Sequence, residues 1–183
     1  MTKFIALMQR RVVNGAIAGT TLRKQGAAGV VGAVREYLYE VDLSRFVHKT
    51  EKRFLDYLDS CTNELKRALP KNAQHWGTAR KSLNLLLMLS FYNRYLCDTY
   101  SLYAIEHHLE IPLDSDVAKG LTLRAARVDK ELPRWNGIKR LQPSESTEFQ
   151  SCARKLARSM GVARIHLDLI FWRSKTDNEN IEY

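Results

Sequence analysis

The stretch from Thr78 to about Tyr95 is apolar on nearly every side of the helix that its residue spacing predicts. Between Leu83 and Met88 only Asn84 is polar. A helix with so little polar surface has to be covered by other parts of the chain, because its apolar side chains are unfavourable in water. The stretch therefore predicts a central helix around which the rest of the protein packs.

Helical spacing also runs through most of the remaining sequence, and no segment alternates as a half-buried strand would. The predicted fold class is all-α, and the 183 residues suit a single domain spanning 1–183. Ser44 is expected to cap a helix that ends at Pro70, whereas 162–173 fits a helix or a strand. Further helices are expected over about 27–39, 101–109, 144–160 and from Asp114 onward, with loops at 132–137 and 142–147 and a frayed tail at 174–183.

The charge balance points to a polyanionic partner. Lysine and arginine number 29 against 20 aspartate and glutamate residues, a formal net charge of +9, which favours nucleic acid. The first 35 residues carry basic side chains and no acidic one, as a DNA-contacting helix would; an organelle transit peptide is the alternative.

The cysteines and apolar runs narrow the class further. Three scattered cysteines predict neither a disulfide framework nor a metal site, and adjacent His107 and His108 cannot face one ion. No apolar run reaches membrane-spanning length. We expect a monomer of the cytoplasm or nucleoid that needs no metal or other cofactor.

Residues 70–87 predict a helix-hairpin-helix. One helix ends at Pro70, a short loop closes on Gly77, and the next helix is entered through Thr78 and Ala79. Glycine lets the backbone approach a phosphate without a Cβ, and the free N–H groups at a helix start attract the anion. Such a hairpin holds DNA without reading its sequence. Phosphate contacts are accordingly expected at Gly77, Thr78, Ala79, Arg80, Lys71 and Lys119.

Lys81 and Asp114 carry the predicted chemistry. Lys81 lies near the start of the central helix, where the helix dipole and partial burial both disfavour a charged ammonium. A neutral lysine amine is a nucleophile, although a lysine that merely reaches a phosphate is the alternative. In the loop and helix start at 110–121, Asp114 follows Pro112 and can N-cap the next helix, which would fix its carboxylate.

Together, "GTARKSLN" and "IPLDSDVAKGL" resemble the motifs of the helix-hairpin-helix DNA glycosylase superfamily, which includes endonuclease III and the 8-oxoguanine DNA glycosylases. In this resemblance Gly77 matches the hairpin glycine, Lys81 the nucleophile, Asn84 the helix asparagine and Asp114 the catalytic aspartate. The long spacing from lysine to aspartate is most similar to that of the archaeal 8-oxoguanine DNA glycosylases. The resemblance covers about residues 70–121.

Two departures accompany the match. Ala79 stands where a second hairpin glycine is usual, and Asp116 where histidine is common. The four closely spaced cysteines of the iron–sulfur members are also absent, so no cluster is expected.

The resemblance implies a helical glycosylase-like fold and a bifunctional DNA glycosylase and AP lyase. Its substrate would be double-stranded DNA with a damaged or modified base, first of all 8-oxoguanine, flipped out of the duplex. A non-catalytic hairpin DNA-binding protein, a glycosylase of modified phage DNA, and an RNA-binding or phage-defence protein remain the alternatives. Candidates for the base pocket are the aromatic residues Trp76, Trp135, Phe149 and Trp172, with Gln25 to fill the gap left in the duplex.

Overall fold

The computed structural model describes residues 2–19, 21–22 and 28–173, and these form α-helices and short 3-10 helices without a strand. The predicted all-α class is confirmed for this part of the chain. Gln25, the side chain of Trp172 and the tail 174–183 lie outside the described residues. The α-helices are α1 (Lys3–Ala16), α2 (Val30–Tyr39), α3 (Glu51–Ala68), α4 (Trp76–Tyr92), α5 (Arg94–Tyr100), α6 (Ser115–Ala126), α7 (Pro143–Ser159) and α8 (Leu167–Arg173).

Helix α4 is the centre of the fold, as its composition predicts. It packs against α1, α2, α3 and α5, and its N-terminal part contacts the 3-10 helix Ile138–Arg140. Leu83, Leu86 and Leu87 are buried among these neighbours. Asn84, the one polar residue between Leu83 and Met88, is buried as well, and its amide donates a hydrogen bond to the buried Glu110.

Two apolar clusters make up the described core. The larger joins α1 to α5, and the second joins α6 to α8 with Phe149 and Phe171 among its members. The chain crosses from one cluster to the other between Leu109 and Ile111, so the buried Glu110 lies at the seam between them.

The start of α3 differs from the expectation. Ser44 belongs to the 3-10 helix Leu43–Phe46, and its hydroxyl donates to Asp42 Oδ1 at 2.6 Å. Thr50 caps α3 instead, since its Oγ1 accepts the N–H of Arg53. The prediction that Ser44 caps this helix is therefore wrong, because the chain leaves its short 3-10 helix at Val47 and α3 begins only at Glu51.

Three other segments also differ in detail from what their sequences predict. Helix α7 confirms the helix expected over about 144–160. It begins at Pro143, inside the segment 142–147 that was expected to be a loop, since proline suits the first turn and Glu145 Oε2 accepts the N–H of Gln142 at 2.8 Å. The expected helix over 101–109 is reduced to the 3-10 helix Leu102–Ile105 followed by turns. The segment 162–173, whose spacing fitted a helix or a strand, forms the 3-10 helix Arg164–His166 and then α8.

Gly77 permits close packing inside the protein. It is the second residue of α4, and a Cβ built on it would collide with the carbonyl oxygen of Ile138 and lie 2.9 Å from Leu141 Cβ. Backbone cannot yield as a flexible side chain can, so only glycine fits here without displacement.

We expect Gly77→Ala to lower the free energy of unfolding by about 1–3 kcal/mol, because the helix and the 138–141 segment must separate. Gly32→Ala is the matched control: it lies in α2 with open space around it, and should raise stability by about 0.5–1 kcal/mol. Denaturant unfolding of both variants measures the difference. Equal stability of Gly77→Ala and the native protein would contradict the packing role.

Candidate active site

The structure brings Lys81 and Asp114 together although 33 residues separate them in the chain. Lys81 Nζ lies 3.4 Å from Asp114 Oδ2. The lysine side chain is 13% exposed and the aspartate 37%, so the pair is partly shielded yet reachable from solvent. This geometry places an amine and a carboxylate side by side, as the sequence motifs predict.

Asp114 holds its position by capping α6. Its Oδ1 accepts the N–H groups of Asp116 and Val117, both at 3.0 Å, which leaves Oδ2 for Lys81. The predicted N-cap is confirmed. Because α4 begins at Trp76, Lys81 lies in its second turn, and the dipole effect expected at a helix start is weaker there.

Asp168, which the sequence analysis did not single out, joins this pair from the first turn of α8. The pKa of its carboxyl is raised to about 6, mainly by burial and next by the charge of Asp114, while the charge of Lys81 opposes both. An aspartate inside the apolar run "HLDLIF" was the available signal, but the run fitted a helix or a strand and so gave Asp168 no certain direction. Three helices therefore contribute one ionisable group each.

A buried ion pair lies next to the site. Arg80 donates two hydrogen bonds to Glu110, from Nε to Oε2 at 2.8 Å and from Nη2 to Oε1 at 3.2 Å. Both side chains are only 6% exposed. Asn84 also donates to Glu110, and Arg80 reaches Asp59 at 2.6 Å. Burial by itself would raise the pKa of Glu110, but the charge and hydrogen bonds of Arg80 outweigh it and lower that pKa. Both charges are thus compensated inside the protein.

The residues expected to contact phosphate divide into two groups. Gly77, Thr78, Ala79 and Arg80 are buried, so the prediction that they touch DNA is wrong for this structure: the glycine packs on Ile138 and the arginine is occupied by Glu110. The burial of α4 between two clusters is the physical reason. Lys71 and Lys119 are exposed and keep the surface that a phosphate contact needs.

The aromatic candidates for the base pocket lie in different parts of the structure. Trp135 is half-buried and its Nε1 donates to Ser115 Oγ at 3.2 Å, directly beside Asp114. Phe149 is 1% exposed and packs edge-on against Trp135, so it belongs to the core and cannot stack on a base. Trp76 lies under the Arg80 guanidinium and lines a cleft of about 640 Å³ between α3 and α7, at the Arg80 side of α4. Of the described candidates, Trp135 is the one tied to the residue next to Asp114.

The remaining observations concern ions and membranes. The described residues contain no group of His, Cys, Asp and Glu side chains arranged to hold a metal ion. None of the described helices is both long enough and apolar enough to cross a membrane.

No protein-family model, curated protein or solved structure matches the chain. A function for the site therefore has to be inferred from its residues and their geometry.

Asp114 is expected to stabilise the fold through its cap as well as through its charge. Asp114→Asn keeps a good capping side chain, whereas Asp114→Ala removes it, so the alanine variant should be less stable than the asparagine variant by about 1 kcal/mol. Thermal or denaturant unfolding gives this difference directly, because both variants lose the same ion pair. Equal stabilities would mean that the cap contributes nothing.

The raised pKa of Asp168 should make the stability of the protein depend on pH. Its folded pKa of about 6 lies above the unfolded value of 3.8, so the protonated carboxyl favours folding, fully so below the unfolded value. This contribution is lost as the pH rises through about 6. Asp168→Asn should therefore be more stable than the native protein at pH 8, by about 1–3 kcal/mol, with a smaller difference at pH 5.

Unfolding free energies at the two pH values provide the measurement. Asp98→Asn, at an exposed aspartate of α5, is the control and should show no such gain at pH 8. A pH-independent effect of Asp168→Asn would contradict the raised pKa.

Proposed function

We propose that this protein is a DNA glycosylase with AP-lyase activity, in which Lys81 is the nucleophile and Asp114 the catalytic carboxylate. The observation that carries the proposal is the 3.4 Å approach of Lys81 Nζ to Asp114 Oδ2 across 33 residues of chain. The resemblance to the glycosylase motifs requires this lysine and this aspartate to lie in one site. A basic net charge alone gives no reason for them to meet. The +9 net charge supports a nucleic-acid substrate.

The proposed reaction uses groups that the site already holds. After Lys81 gives up a proton, its amine attacks the sugar C1′ of the flipped nucleotide, and the C1′–N bond to the base breaks. The C1′–O4′ bond of the sugar then opens, with O4′ taking a proton, to give an iminium link between C1′ and Lys81. Loss of a C2′ proton from this intermediate expels the 3′ phosphate. Asp114 stabilises the positive charge that develops on the sugar, and its fixed cap keeps Oδ2 in place for that role.

Asp168 supplies a second proton acceptor in the same site. Its pKa of about 6 lies close to neutral pH, which is the range in which a carboxyl group can both take and release a proton. We assign it to proton movement around Lys81, while Asp114 acts through its charge. Trp135, held beside Asp114 by its bond to Ser115, is the proposed stacking partner for the flipped base.

A non-catalytic DNA-binding protein is the rival function. The hairpin does not separate the two functions, because both were expected to hold phosphate with Gly77, Thr78 and Ala79, which are buried here. The contact between Lys81 and Asp114 does separate them, since a protein that only binds DNA has no need of it. A protein that only binds DNA needs a positive charge at position 81 and should tolerate arginine there, whereas an enzyme that uses Lys81 as its nucleophile should not.

Borohydride trapping tests the proposal with duplexes that carry either an abasic site or 8-oxoguanine. The native protein should form a covalent adduct, and both Lys81→Gln and Lys81→Arg should lose it by about a thousandfold or more, because neither side chain forms the imine. Lys155→Gln, at an exposed lysine of α7, is the matched control and should trap as the native protein does.

The two duplexes separate the steps. The abasic duplex tests the lysine chemistry, and the 8-oxoguanine duplex tests the base; a modified phage base is the next substrate if only the abasic duplex reacts. Intact binding with no adduct on either duplex would refute the lyase and favour the DNA-binding protein.

A further inference from the structure

Helix α4 exposes one narrow stripe. Along the described stretch from Thr78 to Ser90, only Lys81, Leu85 and Leu89 are not buried, and Tyr92 at the helix end continues the series. Steps of four, four and three residues keep these side chains on one face. The stripe therefore runs from the candidate nucleophile to Tyr92, about 16 Å along the helix axis.

Tyr92 is held in place at the far end of the stripe although 42% of its surface is exposed. Its hydroxyl lies 2.7 Å from His166 Nδ1, and His166 Nε2 lies 2.7 Å from Glu106 Oε1. Because a carboxylate only accepts, Nε2 carries the proton, and in the neutral ring Nδ1 accepts the tyrosine O–H. The three side chains form one chain of hydrogen bonds that fixes the tyrosine ring.

The surroundings make this position an aromatic platform. The centroids of the His166 and Phe91 rings each lie 5.7 Å from that of the Tyr92 ring, and they lie 5.8 Å from each other. Asp168 lies near enough that its charge contributes to raising the pKa of Tyr92, after burial, and it also interacts with Lys81. The platform and the candidate active site thus have a charged neighbour in common, Asp168.

We propose that Tyr92, oriented by His166 and Glu106, is a second DNA-contact site that stacks on a base near the reacting nucleotide. This inference rests on the proposed function for its choice of DNA. A rigid, exposed aromatic ring binds the face of any base, and a fixed ring loses little entropy on binding. The Glu106 carboxylate would repel a phosphate at this place, so the platform favours an uncharged base over the backbone.

Distance limits which base is contacted. With 3.4 Å between stacked nucleotides of one strand, a span of about 16 Å corresponds to at most about five nucleotides from the sugar at Lys81. The contact therefore lies on the flank of the lesion, and it should strengthen binding without entering the chemical step.

The test measures binding and rate separately. Binding uses a duplex with a tetrahydrofuran abasic analogue, which cannot form the imine. Tyr92→Leu should weaken this binding by about 5- to 100-fold, whereas Tyr92→Phe, which keeps the ring but loses the bond to His166, should weaken it less, by about two- to fourfold. The single-turnover rate at saturating abasic DNA should change by less than about twofold in both variants.

Tyr95→Leu is the matched control. Tyr95 is also exposed, at 55%, but its ring packs edge-on against Phe4 of α1. It should bind as the native protein does. Native-like affinity of Tyr92→Leu, or an equal loss in Tyr95→Leu, would overturn the platform.

A position scan with 2-aminopurine adds a second readout. Placed one to five nucleotides from the analogue, the probe should change its fluorescence on binding at one or two positions, and that change should disappear in Tyr92→Leu. Absence of any Tyr92-dependent position would also overturn the inference.

Failure of the enzyme and failure of the platform give different results. If the native protein forms no borohydride adduct but still binds DNA through Tyr92, the platform stands and the lyase fails. If the adduct forms and Tyr92→Leu binds normally, only the platform fails. If the native protein binds no DNA, both are refuted.

Discussion

The candidate site depends on the buried ion pair between Arg80 and Glu110. Arg80 is the neighbour of Lys81 on α4, and Glu110 stands four residues before Asp114, so their two hydrogen bonds join the helix turn that carries the amine to the segment that delivers the carboxylate. Two buried charges are costly when either lacks a partner. The pair therefore holds Glu110 against α4, four residues before the point at which Asp114 meets Lys81.

The irregular segment around Glu110 is held by side chains on both flanks. Arg164 donates to the carbonyl oxygens of His108 and Leu109, and the Gln150 amide exchanges two hydrogen bonds with the backbone of Ile111. Buried backbone groups outside helices need such partners. These contacts also fasten α7 and the turn before α8 to the segment, so Asp168 and His166 are placed by the polar network that places Asp114.

The sequence could predict what short-range rules decide. Apolar spacing specified helices and a central α4, and the cap chemistry of Asp114 specified the start of α6. The role of Arg80 could not be predicted in this way, because a basic residue in a basic chain suits a phosphate as well as a buried carboxylate. Only the position of Glu110, distant in sequence, decides between them.

Rigid elements on both sides hold the lysine and the aspartate of the candidate site against each other. Lys81 projects from a helix that is buried on nearly every side, and Asp114 is fixed by two backbone hydrogen bonds as well as by the lysine. A catalytic pair gains from such support, since a displacement of about 1 Å can cost about a hundredfold in rate. The apolar sequence that forces α4 into the centre of the fold also leaves it one open stripe. Lys81 lies at one end of that stripe and Tyr92 at the other, so in the proposed function the stripe would set the direction from which the DNA approaches.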